Sequence, residues 1–180
     1  DRINSAFVLG RQRTLVQDIE FGINELVEVA LRALSPAIND PFTAITCIDW
    51  LGSALCQLCA RTLPPPTQCD AAGRLRLLVE PLTFARLADA AFNQIREYGR
   101  TSTAVTLHLL DVIAVVAACT RTASQRAALL RHAQLIEQGS HNGIAEESGR
   151  RSVAARFQVI AAQLTEDHPS SIRLGSKKVP

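Results

Sequence analysis

The residues predict an all-α domain: a bundle of about six helices with short connections and at most one minor extended segment. Three observations carry this. Apolar residues recur at spacings of three and four over long stretches, the pattern of a helix with one buried face. Only 4% of the residues are aromatic, so a core must come from Leu, Ile, Val and Ala, which suits close-packed helices better than a sandwich or barrel. Prolines at 36, 41, 64 to 66 and 81 punctuate the periodic stretches. With 180 residues, 47% of them hydrophobic, a single domain with a real core is the expectation, spanning residues 1–167 and followed by a mobile tail over 168–180.

The first helix is expected from Ile19 to Leu34. Ile19, Ile23, Leu26, Val27, Ala30 and Leu34 share a face, while Glu20, Asn24, Glu28 and Arg32 line another. Asp18 is placed to cap its start, and Glu28 with Arg32 forms a favourable i,i+4 pair. Ser35-Pro36 ends it, because a proline disfavours helical geometry in the residue before it. Asp40-Pro41 then reads as a cap followed by a first-turn proline, which opens a second helix running to about Arg61.

Pro64-Pro65-Pro66 closes that helix and begins a polar loop through Gly73, after which Leu75, Leu77 and Val79 predict a brief extended segment before Pro81. Helical spacing returns with Phe84, Leu87, Ala88, Ala91, Phe92 and Ile95, and Gly99 stands where a C-cap belongs. Thr103 to about Thr120 is apolar on nearly all sides, the mark of a helix surrounded by others. Two more helices are expected, Ser124 to Gln138 and Glu147 to Thr165, with the turn-rich stretch Gly139-Ser140-His141-Asn142-Gly143 between them. No solenoid-length internal repeat and no low-complexity tract stand out.

Composition excludes more functions than it nominates. A net charge of +2, with both signs interspersed, makes no field that would steer nucleic acid, and no helix concentrates base-reading residues; Arg150-Arg151 and Lys177-Lys178 are too sparse. No nucleic-acid partner is expected. The five cysteines are odd in number and irregularly spaced, which favours a reducing compartment. The stretch nearest to a membrane span, Ala104 to Cys119, is too short and carries His108 and Asp111, so no transmembrane helix is expected here. The chain opens on Asp1 and contains no methionine, which predicts that it belongs to a longer protein.

Chemistry-bearing candidates are few, and no complete catalytic signature emerges. Cys56-Gln57-Leu58-Cys59 falls inside a helix with no second ligand pair, so no metal site is predicted and the thiols read as packing groups. His108 and Asp111 lie three apart and form a potential acid–base dyad, with no nucleophile beside them. His132, His141 and His168 read as surface or loop residues. Phosphate-loop, dinucleotide and zinc-protease signatures are absent, and no cofactor is predicted.

The densest polar stretch is the connector Ala33-Leu34-Ser35-Pro36-Ala37-Ile38-Asn39-Asp40-Pro41-Phe42-Thr43-Ala44. One reading is structural: Ser35, Asn39, Asp40 and Thr43 satisfy the unpaired backbone groups of two helix ends. The other is functional: this corner, with Arg11, Arg13, Thr14, Gln17 and Asp18, forms a polar site or a junction with another part of the protein. Arginines beside helix starts favour an anion, and the two aspartates oppose one, so the sign of any ligand stays open. Arg96, near the end of its helix, meets the C-terminal dipole or crosses to pair with Asp18 or Asp40.

Arg13-Thr14 with Gln17-Asp18, then Ala-Leu-Ser-Pro-Ala-Ile-Asn-Asp-Pro with Thr43-Ala44, then Ile95-Arg96-Glu97-Tyr98-Gly99 resemble the bacterial membrane proteins grouped as domain of unknown function 2254. The likeness runs from about Phe7 to Leu110 and weakens beyond. It implies an N-terminal set of transmembrane helices and a short β-rich segment preceding a soluble helical domain, and it brings no reaction, ligand or catalytic residue. The matching positions Arg13, Thr14, Gln17, Asp18, Ser35, Asn39, Asp40, Thr43 and Arg96 therefore stand as a candidate polar site. The expected role is that of a cytoplasmic domain of an inner-membrane protein, working through the membrane-embedded part of its chain, a homo-oligomer, or a small ligand or ion. The alternative is an enzyme in which Asp18, Asp40, Arg13 and Arg96 converge on a small charged substrate.

Overall fold

The computed structural model describes residues 18–166. Six helices dominate: α1 (Ile19–Ala33), α2 (Pro41–Cys59), α3 (Phe84–Gly99), α4 (Thr103–Cys119), α5 (Ala123–Gly143) and α6 (Glu147–Thr165). Between α2 and α3 a small antiparallel hairpin pairs β1 (Thr67–Cys69) with β2 (Leu75–Leu78). The all-α expectation holds, and the extended segment is a two-stranded ribbon rather than a lone strand.

Local chemistry sets where the helices begin. Asp18, Asp40, Thr83, Ser102 and Thr122 each accept a backbone N–H from the first turn of the helix they precede. Gln125 completes a reciprocal capping box with Thr122, and α6 alone among the described helices starts without a side-chain cap. Caps of this kind contribute about 1 kcal/mol each.

Contacts along the helices fix their directions. The Arg86 guanidinium, at the start of α3, meets Glu20 at the start of α1 at 2.9 Å, and Gly99 at the end of α3 lies against Leu34, just beyond the end of α1. Helices α1 and α3 are therefore parallel. Gly143 at the end of α5 lies against the Arg100 carbonyl just past α3, which adds α5 to the same layer. On the other side Asp49 pairs with His108, and Cys56 approaches the Val115 carbonyl, so α2 and α4 run together. Arg156 pairs with Asp111, and Gln163 donates to the Ala114 carbonyl, which brings α6 alongside. The fold is thus three consecutive helical pairs, α1–α2, α3–α4 and α5–α6, stacked side by side into two layers.

This stacking gives the domain two distinct ends. At one end lie the tight elbows 34–40, 100–102 and 144–146; at the other lie Asp18, the hairpin and the turn 120–122. The core runs between the layers, with Phe92, Ile48, Leu51, Leu55, Leu87, Ile95, Leu109, Leu110, Ile113, Leu129, Ile136 and Ile160 fully buried. Helix α4 is central as expected, packing against α2, α3, α5 and α6.

Two expectations are corrected. The stretch 139–143 is not a turn but the last turn and a half of α5. Ser140 is buried with its hydroxyl on the Glu137 carbonyl at 2.6 Å, and His141 bonds Glu137 at 2.7 Å, so polar groups that suggest a loop are satisfied inside the helix. The expectation that no segment approaches a membrane span also needs amendment, because α2, with 19 residues, is long and apolar enough by length and composition. In this fold Ala44, Ile48, Leu51 and Leu55 of α2 are buried, and its contacts with α1, α4 and α3 account for its apolarity. The expected tail lies outside the described residues.

Candidate functional site

The elbow between α1 and α2 is tightly built. Its chain turns on Asn39, whose φ of 49° is the left-handed geometry that Asn tolerates better than most residues. Ser35 Oγ donates to the Arg32 carbonyl at 2.7 Å, and the Asn39 and Asp40 amides reach back to the Ser35 and Ala33 carbonyls, both at 2.8 Å. Asp40 accepts from the amides of Phe42 and Thr43 and from the Thr43 hydroxyl at 2.5 Å. These bonds, the Thr43 hydroxyl first, hold its carboxyl below the usual carboxylate range. Ser35, Asp40 and Thr43 are thus engaged in ending one helix and starting the next.

Asp18 lies elsewhere. It caps α1 through the Phe21 amide at 3.1 Å, and α1's 15 residues put roughly 22 Å of helix between it and the elbow. There it borders a polar depression of about 300 Å³ with Glu20, Asn24 and Arg86. The two aspartates therefore do not meet at one point. Arg13, Thr14 and Gln17, with Arg11, fall outside the described residues.

Arg96 belongs to the elbow end. With Glu97, Tyr98, Arg100 and Thr101 it borders a cavity of about 610 Å³ over the turn from α3 to α4. Its side chain is 18% exposed, its Nη2 lies 3.4 Å from Glu97 Oε1, and its Nε is buried without an acceptor. It pairs with its neighbour Glu97, not with Asp18 or Asp40. Of the matching motifs, the connector and the Arg96–Gly99 stretch thus share one end of the domain, joined through Leu34 and Gly99.

The expected His108–Asp111 dyad does not form. His108 Nε2 turns to Asp49 on α2 at 2.7 Å, and Asp111 turns to Arg156 on α6, because residues three apart on a central helix face different neighbours. His132 is the larger surprise: it is fully buried, its Nε2 lies 2.9 Å from Asp89, and its Nδ1 has no partner. Phe92 packs against it edge-on at 5.5 Å. Burial first, then the Arg131 charge, lowers its pKa to about 4 despite Asp89. Its place in α5, three residues after Leu129 and four before Ile136, was the available signal of a buried face.

All five cysteines are free. Burial first and the neighbouring Cys119 next push Cys56 to about 12 and Cys59 to about 11. These are packing thiols with little thiolate character. Among the described residues no cluster of three His, Cys, Asp or Glu side chains is arranged to hold a metal ion.

A family model described as a predicted membrane protein, DUF2254, matches residues 1–115. The chain belongs to this family. The matched region takes in the elbow, the Arg96 cavity and most of α4. An uncharacterized protein of Mycobacterium bovis and uncharacterized proteins of two Mycobacterium tuberculosis strains are each 37% identical to it over 158 residues, covering 88% of this chain. The chain spans 30% of the length of these relatives. No solved structure matches it. This DUF2254 chain therefore joins a membrane-protein family as a two-layer helical stack.

Proposed function

We propose that this DUF2254 domain is a soluble, cytoplasmic part of a bacterial inner-membrane protein, and that it works by docking and small-ligand sensing rather than by catalysing a reaction. It packs its first helical pair against the membrane-embedded part of its own chain or against a second copy, and holds a small ligand at the elbow end. One observation carries the docking: the outer side of α1–α2 exposes two large aromatic side chains among its polar residues. Phe42 is 79% and Trp50 63% exposed, and Leu26, Trp50 and Ala54 line an outward groove of about 360 Å³. The last pair exposes no aromatic side chain: Gln134, Gln138, Arg151 and Gln158 are exposed on α5 and α6, with Val159 among them. A helical stack needs polar terminal faces to remain soluble alone, and covering a large apolar side chain is worth about 2 kcal/mol. The exposed aromatics of the first pair suit a partner surface. Relatives nearly three times as long supply chain enough for that partner, and free cysteines suit the reducing side of a membrane.

The test is maleimide labelling of the full-length protein in its membrane, in a Cys69→Ser background, comparing Ser53→Cys in the groove with Gln134→Cys on the last pair. Slow labelling at 53, fast labelling at 134, and crosslinks from 53 to the membrane part or to a second copy are expected. Equal, fast labelling at both positions would defeat the proposal.

A further inference from the structure

We infer that the cavity at the end of α3 is a binding site for a small organic phosphate, which deepens the ligand-sensing half of the reading above. Sequence left the sign of a ligand open because Asp18 and Asp40 opposed the arginines. In the fold neither borders the cavity: Asp40 faces its own helix start, bonded to Phe42 and Thr43, and Asp18 lies roughly 22 Å of helix away. What borders the cavity is two arginines against one carboxylate, Glu97, a net single positive charge.

Neither arginine is consumed by the fold. A guanidinium carries five N–H donors, and Arg96 uses one of its donors, in the 3.4 Å contact with a largely exposed Glu97. Its Nε is buried without an acceptor and out of reach of the cavity, so its Nη groups are the donors available there. Arg100 makes no ion pair or side-chain hydrogen bond among the described residues, although an arginine at a helix end commonly takes up the last carbonyls. Those carbonyls are engaged elsewhere: Gly99 O accepts from the Ser102 amide and the Thr106 hydroxyl, and the Arg100 carbonyl is packed under Gly143. Two arginine forks and the Thr101 hydroxyl suit the planar, bidentate recognition of a phosphate group. The hollow is open to solvent and, at about 610 Å³, has room for more than a bare ion. Tyr98, on the wall and 60% exposed, offers an organic portion a face to lie on.

The same chemistry is carried by a soluble phosphomonoester and by an anionic lipid headgroup. Calorimetry on the full chain with glycerol 3-phosphate, and flotation with phosphatidic acid vesicles against phosphatidylcholine vesicles, separate the two sources. Binding of either phosphate form is expected, and which arm responds names the source. Arg100→Gln, an exposed change, should weaken that binding about tenfold or more with the melting temperature unchanged. Glu97→Gln, which removes the competing carboxylate, should strengthen it. No binding in either arm, or binding indifferent to both substitutions, overturns the inference. Labelling at Ser53 tests docking independently, so one reading can fail while the other stands.

Discussion

His132 makes the stability of this fold depend on pH in a way that can be worked through. Its pKa is held at about 4 against an ordinary 6.5, because charging a fully buried imidazole beside Arg131 costs more than Asp89 returns. The unfolded chain therefore binds this proton more readily than the folded one. The contribution is complete above pH 6.5, declines as the pH falls through that value, and is gone below about 4. With one pKa unit worth about 1.4 kcal/mol, the fold should lose about 2 kcal/mol from this group between pH 7.5 and 5. Urea unfolding at the two pH values measures it, with His132→Gln as the reference that lacks this imidazole. The wild-type protein should lose about 2 kcal/mol more than the variant. Equal losses in the two proteins would refute the argument, since they would mean that the imidazole is protonated as easily inside as outside.

Two further outcomes follow from the helix ends. Asp40→Ala should cost about 1 kcal/mol in chemical denaturation and Asp40→Asn less, because the amide oxygen still caps α2; no loss with Ala would mean that the elbow does not depend on this cap. Gly143→Ala puts a methyl group into the Arg100 carbonyl, where backbone meets backbone and neither side yields easily. A drop of about 1–3 kcal/mol in unfolding free energy is expected, against a gain of about 0.5–1 kcal/mol for Gly139→Ala, which lies within α5 and faces open space.

The sequence read well where local chemistry and burial agree. Asp18 and Asp40-Pro41 marked helix starts because caps act within one turn, and α3 and α6 fall where the apolar spacing puts them; Gly99, expected as a C-cap, is the last residue of α3, with Arg100 capping it. It failed where tertiary contacts override composition. Gly139 to Gly143 looks like a turn in isolation, yet Gly143 is needed because α5 presses on Arg100. His132 looked like a surface residue although its spacing from Leu129 and Ile136 signals a buried face; only its partners, Asp89 and Phe92 on another helix, were beyond local reading. The elbow's backbone economy was legible from Ser35, Asn39 and Asp40, whereas the cavity beside it was not: Arg96 and Arg100 are ordinary helix-end arginines until the fold shows what the neighbouring carbonyls already hold. The stacking of successive pairs leaves no repeated motif, because each interface is filled by different residues.

That stacking also bears on how the chain folds. Each pair of helices touches chiefly the next pair along the chain, so native contacts join segments close in sequence, and such contacts can form early and propagate from pair to pair. Loss of the final pair would strip one side from α3 and α4 while leaving the interface between the first two pairs intact. Unravelling should therefore start at the carboxyl-terminal pair, with amide exchange fastest in α6 and slowest in the middle of the stack.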